Sequence, residues 1–339
     1  MLYYYTPSMA RLLASVALCA SPAFAETPRV VTDIPPVHSL VAQVMEGVGT
    51  PDLVIPASAS PHSYSMRPSQ AAALQGADLV FWIGTELTPW LEQPLENLAN
   101  SATKIALLDH KATTTRAFRE LEDMVEADDH EDHADHGTHQ NHDDHADHED
   151  HSDHADHGEH GHDGHDHDGV DPHAWLDPQN AVAWVDLIAD TLAAQDPENA
   201  ERYKANANST RAQILQTSAK IADDLKPLHD QSFVVFHDAY QYFESRFNLS
   251  AVGSIVLNDA SQPSPARLSQ IQAVLQEHNV ACVFTEAQFS EKLVNTVVEG
   301  TDVKRAELDP LGASYETGSA LYLNVIKGLA EQIKNCLTR

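Results

Sequence analysis

Residues 196–228 read DPENAERYKANANSTRAQILQTSAKIADDLKPL. Asp196 is a good helix N-cap and Pro197 suits the first helical position, where its missing N–H costs nothing. Apolar Ile214, Leu215, Ile221 and Leu225 give the stretch one face to bury. Some 30 residues of helix would be about 45 Å long. The stretch therefore predicts a rigid strut across two lobes rather than a flexible linker.

On either side of it the chain reads as a βα series. Upstream, short apolar or β-branched runs at 29–32, 53–55, 78–82 and 104–107 alternate with helical patterns at 37–46, 69–75 and 89–100. Downstream, runs at 233–236, 251–256, 281–285 and 304–308 alternate with helical patterns at 240–247, 265–278, 291–298 and 315–336. Strands alternating with helices at this spacing predict an α/β fold of two lobes, each a mainly parallel sheet flanked by helices. The expected organisation is an export signal over 1–25, an N-terminal lobe over 26–195, the linking helix over 196–228 and a C-terminal lobe over 229–339.

The export signal rests on Arg11, the apolar run 12–20 and the small-x-small pattern Ala23-Phe24-Ala25. That run is far short of the roughly 20 residues that span a bilayer, so no membrane insertion is expected. Cys19 raises a lipidated terminus, but Leu18 stands where a small residue is expected, and cleavage after Ala25 is preferred. Met9 is a possible start in place of Met1. The mature chain then holds two cysteines, Cys282 and Cys336. In an oxidising compartment they read as one disulfide, with two unpaired core thiols as the alternative.

The formal charge of −31 disfavours nucleic acid and anionic lipid as partners and suits a cationic ligand. More than half of it is local, since residues 128–171 carry 17 Asp or Glu and no Lys or Arg. Residues 128–169 are rich in His, Asp, Gly and Ala and have almost no apolar side chain. Such a segment cannot bury enough surface to offset ordering entropy, so a disordered insertion in the first lobe is expected. Its histidines recur at every third position: His130, His133, His136, His139, His142, His145, His148, His151, His154, His157 and His160. His162, His165 and His167 follow off register. Imidazoles among carboxylates make a chelating polymer for zinc, copper or nickel, with many weak, exchangeable, pH-sensitive sites. The plainer alternative is a tolerated acidic loop.

Seven histidines lie outside the tract. His62 stands in Pro61-His62-Ser63-Tyr64, and His173 in Asp171-Pro172-His173-Ala174-Trp175, just before a helix capped by Asp177. His237 ends the run 233–236, and Asp309 holds the matching exit of the last strand in Leu308-Asp309-Pro310-Leu311-Gly312. Strand exits are where open α/β sheets place ligands, and three imidazoles with a carboxylate would make a tetrahedral zinc site. From spacing alone, any one of these histidines reads more readily as a surface or core side chain than as a ligand. His38, His110, His229 and His278 read as structural, although His38 could point into the cleft.

Taken together, the segments 61–68, 173–178, 235–243, 282–289 and 308–312 resemble the zinc-specific, ZnuA-type members of the cluster A metal-binding proteins of ABC importers. The resemblance covers essentially all of 29–339, the histidine-rich insertion included. It implies a metal held between two lobes joined by a backbone helix, with His62, His173 and His237 as ligands. Manganese-type relatives favour a carboxylate at the third position, so His237 points to Zn2+. Some members carry a ligating Glu before the first histidine; Pro61 stands there instead, leaving Asp309 or water as fourth ligand, with Asp309 preferred. Glu286 and Asp238 are expected beside the ligands rather than on the metal, and Cys282 and Cys336 match a disulfide of the family. The implied function is periplasmic zinc capture without a chemical reaction. The expected partner is an inner-membrane zinc ABC permease with its cytoplasmic ATPase, served by a monomeric binding protein. A zinc hydrolase with an open three-histidine site, or a zinc buffer or sensor without a permease, are the alternatives.

Overall fold

The computed structural model describes residues 27–119, 169–256, 263–287, 289 and 291–338. The expected export signal with Cys19, and all fourteen tract histidines, lie outside these residues.

Two four-stranded parallel sheets carry the fold. The first contains β1 (Val30–Thr32), β2 (Asp52–Leu53), β3 (Leu79–Trp82) and β4 (Thr103–Ala106) in the order β2-β1-β3-β4. The second contains β5 (Phe233–Val235), β6 (Ala251–Ser254), β7 (Cys282–Glu286) and β8 (Lys304–Leu308) in the equivalent order β6-β5-β7-β8. The chain winds outward from a central strand in one direction and then the other, so each sheet has a switch point beside its first strand. Central strands are covered on both faces and read as unbroken apolar runs: Leu79, Val80, Phe81 and Trp82 are all buried.

Helices α1 (Pro35–Val44), α2 (Pro68–Gly76) and α3 (Pro89–Leu98) belong to the first lobe. Each begins with proline, which fixes φ and sits where no intrahelical N–H is needed. The second lobe holds α6 (Gln241–Phe247), α7 (Pro265–Glu277), α8 (Glu291–Val298) and α9 (Leu321–Leu337). Between the lobes run α4 (Pro178–Gln195) and α5 (Ala200–Leu225). Asp177 caps α4 by accepting from Gln179 N at 2.8 Å. Asp196 closes the corner into α5, accepting from Asn199 Nδ2 and from Tyr203 Oη, each at 2.8 Å.

The strut is shorter at both ends than the sequence pattern suggests, because 197–199 and 226–228 are 3-10 turns flanking 26 residues of α-helix. At 1.5 Å per residue this is about 39 Å. It packs against α1 and α4 and also against α6 and α9, so it touches both lobes. Its buried face is Tyr203, Ala207, Thr210, Ile214, Ile221 and Leu225. Leu215, expected on that face, is 45% exposed because it is one residue, or about 100°, round the helix from Ile214. The last helix starts at Leu321 rather than Tyr315.

One apolar core runs from the first sheet through α4 and α5 to α9 and the inner face of the second sheet. A smaller core, including Val234, Phe236, Ile271, Val283 and Val294, lies under α7 and α8. Cys282 on β7 and Cys336 on α9 form a disulfide with their Cα atoms 6.0 Å apart. No helix among the described residues is long and apolar enough to cross a membrane.

Candidate metal centre

Three loops from different parts of the fold converge between the lobes. His62 sits in the 3-10 turn Pro61–Ser63, which follows β2. That turn is held from below by Trp90 on α3, whose Nε1 donates to Pro61 O at 2.7 Å. His173 immediately precedes the 3-10 turn Ala174–Leu176, where Trp175 Nε1 donates to Pro310 O of the second lobe at 2.9 Å. His237 follows β5, and Glu286 is the last residue of β7, so both lie at the switch point of the second sheet.

The imidazoles meet. One ligand-capable atom from each of His62, His173 and His237 lies within 4.8 Å of those of the other two. The rings of His62 and His173 are 5.6 Å apart at centroid, and those of His173 and His237 are 5.4 Å apart. His173 and His237 are buried, while His62 is half-buried. Two buried carboxylates fix two of the rings. Asp171 Oδ1 accepts from His173 N at 3.0 Å and lies 2.7 Å from its Nδ1. Glu286 Oε1 lies 2.6 Å from His237 Nδ1. With Nδ1 as donor to a carboxylate, each ring carries its lone pair on Nε2. Apart from Ser60 the rest of the lining is apolar: Trp175, Phe289, Pro310, Leu311 and Pro61 border a cavity of about 20 Å³. That is room for one water-sized sphere.

Asp309 is not part of this group. Its Oδ1 accepts from Gly312 N and Ala313 N, and its Oδ2 from Ser314 N, each at 2.8 Å. Both oxygens thus accept from amides of the turn after β8, and the residue lines a different cavity, beside Tyr315 and Gly328. The neighbouring Pro310 and Leu311, by contrast, reach the histidines. Asp238 turns its carboxylate to Arg119, with a shortest approach of 2.6 Å, and not to the imidazoles. Glu286 stands beside a histidine, where it was expected.

Asp171 has a role that its motif alone does not declare. The signal was the Asp-Pro-His spacing, in which the short side chain folds over two residues onto both the backbone N–H and the ring. His38 is buried with Nε2 3.0 Å from Pro51 O, and that burial lowers its pKa. His229 pairs with Asn248, and His278 caps the C-terminus of α7. None of the three belongs to the convergent group.

Comparison with known proteins gives the family. The model of the family described as zinc-uptake complex component A, periplasmic, matches residues 30–336. The chain belongs to this family. The high-affinity zinc uptake system protein ZnuA of Paracoccus denitrificans (strain Pd 1222) is 47% identical over 332 residues, covering 98% of each chain. The protein of that name from Brucella suis is 46% identical over 321 residues, covering 95% of each. A crystal structure of ZnuA superimposes with a TM-score of 0.69 at 23% identity, over 92% of this chain and 100% of the other. The periplasmic zinc-binding protein TroA of Treponema pallidum does so with a TM-score of 0.71 at 17% identity, over 92% of this chain and 100% of the other. These last two likenesses speak for the two-lobed fold alone.

Proposed function

We propose that this protein captures Zn(II) in the periplasm and hands it, chemically unchanged, to an inner-membrane ABC permease driven by a cytoplasmic ATPase. His62, His173 and His237 are the ligands. The observation that carries the reading is their convergence within 4.8 Å, with Nδ1 of two rings held by buried carboxylates. Imidazole suits a borderline cation such as zinc better than a hard one. Asp171 and Glu286, 1% and 4% exposed, bring two carboxylates to a site whose cargo is a dication. Each also orients a ligand and raises its basicity, as carboxylates behind zinc-bound histidines do. With Asp309 engaged elsewhere, the fourth position is left to water or another small ligand.

A three-histidine site with an open position is also the description of a catalytic zinc. The cavity of about 20 Å³ is small for a substrate beside a metal, and Glu286 is tied to His237 rather than poised as a base. Both points favour carriage over hydrolysis. In this reading 1–25 is removed on export, the lobes 26–195 and 229–339 meet through 196–228, and the protein works as a monomer.

Chelator competition tests the proposal. Each of His62→Ala, His173→Ala and His237→Ala is expected to weaken the tightest zinc site by orders of magnitude. Retention of tight binding in any two of them would refute the assignment.

A further inference from the structure

Residues 119 and 169, between which the histidine-rich insertion lies, stand close together against the second lobe. Ala117 and Val170 form an antiparallel bridge. Phe118 N donates to Gly169 O at 3.1 Å, and Asp171 N donates to Arg116 O at 2.8 Å. This short ladder comes from the first half of the chain but lies on α6 of the second lobe. Arg116 N donates to Tyr242 Oη at 2.9 Å, and that hydroxyl donates to Asp171 O at 2.8 Å. Gln241 Nε2 donates to Ala117 O at 3.1 Å.

Arg119 reaches from the end of the ladder between two carboxylates of the second lobe. Its Nε and Nη2 donate to Asp238 at 2.6 to 3.2 Å. Its Nη1 and Nη2 donate to Glu244 at 2.9 and 2.7 Å. Glu244 is 2% exposed and also accepts from Ala251 N at 2.8 Å, at the start of β6. Asp238 directly follows His237 in the chain, and Asp171 holds the ring of His173. One side of the ladder is therefore bound to the neighbour of one imidazole, and the other side carries the carboxylate that orients another.

We propose that Arg119 is a positioning residue for metal binding: by clamping Asp238 and Glu244, it holds His237 in register with His62 and His173. The inference rests on the three-histidine reading above. A planar guanidinium can serve two carboxylates at once through fixed, parallel donors, which a lysine ammonium cannot reproduce. The two carboxylates lie on either side of the turn that begins α6, so the clamp sets where that turn, and His237 before it, stands against the first lobe. Loss of contacts that orient metal ligands typically costs about 10–100-fold in affinity.

The test uses the full chain with zinc alone as the probe. Chelator competition gives affinity, chelator-triggered stopped-flow release gives the off-rate, and the visible spectrum of the Co(II)-loaded protein reports ligand geometry. The variants are Arg119→Gln, Arg119→Lys, Asp238→Asn and the double variant Arg119→Gln/Glu244→Gln, which removes the buried carboxylate's charge together with its partner and so protects folding. We expect the tightest site to weaken about 10–100-fold in Asp238→Asn and in the double variant. The change should lie mainly in faster release, with a shifted Co(II) spectrum and only partial recovery in Arg119→Lys. Wild-type affinity, release rate and spectrum in these two variants, with only the melting temperature lowered, would overturn the proposal and leave Arg119 a structural clasp. If wild-type tight binding proved indifferent to His237→Ala, the three-histidine reading itself would fall, and this inference with it.

Discussion

Asp33 follows β1 and is 1% exposed. Its Oδ1 accepts from Ile34 N and its Oδ2 from Ile83 N, each at 2.7 Å, tying the C-terminal ends of β1 and β3 together. Burial pushes its pKa up from 3.8 to about 7, against the opposing pull of those two amides. Below about pH 4 the carboxyl is protonated in folded and unfolded chains alike and costs nothing. Between about 4 and 7 the unfolded chain releases a proton that the folded chain keeps, so stability falls as pH rises; above 7 the effect is complete. At 1.36 kcal/mol per pH unit, the loss between pH 4.5 and 7.5 is on the order of 3 kcal/mol. Urea unfolding of metal-free wild type and Asp33→Asn across that range isolates it, because every other titrating group cancels in the difference. Asn cannot ionise, so the variant should gain about 3 kcal/mol on the wild type as pH rises, whatever the offset at pH 4.5. A difference constant to within about 0.5 kcal/mol would refute the reasoning, since the group would then be ionised in both states or in neither.

Replacing a carboxylate that orients a ligand, by Glu286→Gln or Asp171→Asn, should weaken zinc about 10–100-fold in chelator competition; unchanged affinity would remove both from the site. Gly312 has φ +81°, and a Cβ there would lie 2.9 Å from Val325 and 3.0 Å from Leu321. Gly312→Ala should therefore cost on the order of 1–3 kcal/mol in denaturant unfolding, and an unchanged midpoint would contradict the packing described. Reduction of the Cys282–Cys336 bridge, which closes a separation of 54 residues, should cost about 4 kcal/mol in the chain-entropy model; equal unfolding midpoints with and without reductant would refute that. Deleting 128–169 should lower the number of zinc ions bound per chain while leaving one tight site, as counted by equilibrium dialysis with metal analysis. Unchanged stoichiometry would deny the tract any zinc of its own.

The fold was legible because its signals are local and repeated. Apolar runs such as 79–82 declare buried parallel strands, and Asp177-Pro178 and Asp196-Pro197 declare helix starts. Errors arose where one residue of angle or a turn decides the matter, as at Leu215 and before Leu321. In the metal centre, the histidine motifs and the resemblance they carry pointed to the three imidazoles that the structure brings together. At Asp309 the carboxylate folds back onto the amides of its own turn. At a strand exit, a carboxylate before Pro-Leu-Gly can face a ligand or fold back onto the amides of its own turn, and the sequence does not separate these outcomes. Asp238 shows the same limit across the fold: its partner Arg119 lies 119 positions away, beyond any spacing argument. The Asp171 contact with His173 spans two residues, but it needed the ring's orientation to be seen.

The central claim is that one zinc ion sits on His62, His173 and His237 without Asp309. The most direct measurement is anomalous diffraction at the zinc edge from crystals of the chain loaded with one equivalent. The account predicts a single strong peak between the lobes, with three imidazole Nε2 atoms at about 2.0–2.1 Å and Asp309 still bound to the amides of its own turn. A peak away from the three histidines, or one with an Asp309 oxygen at bonding distance, would contradict it.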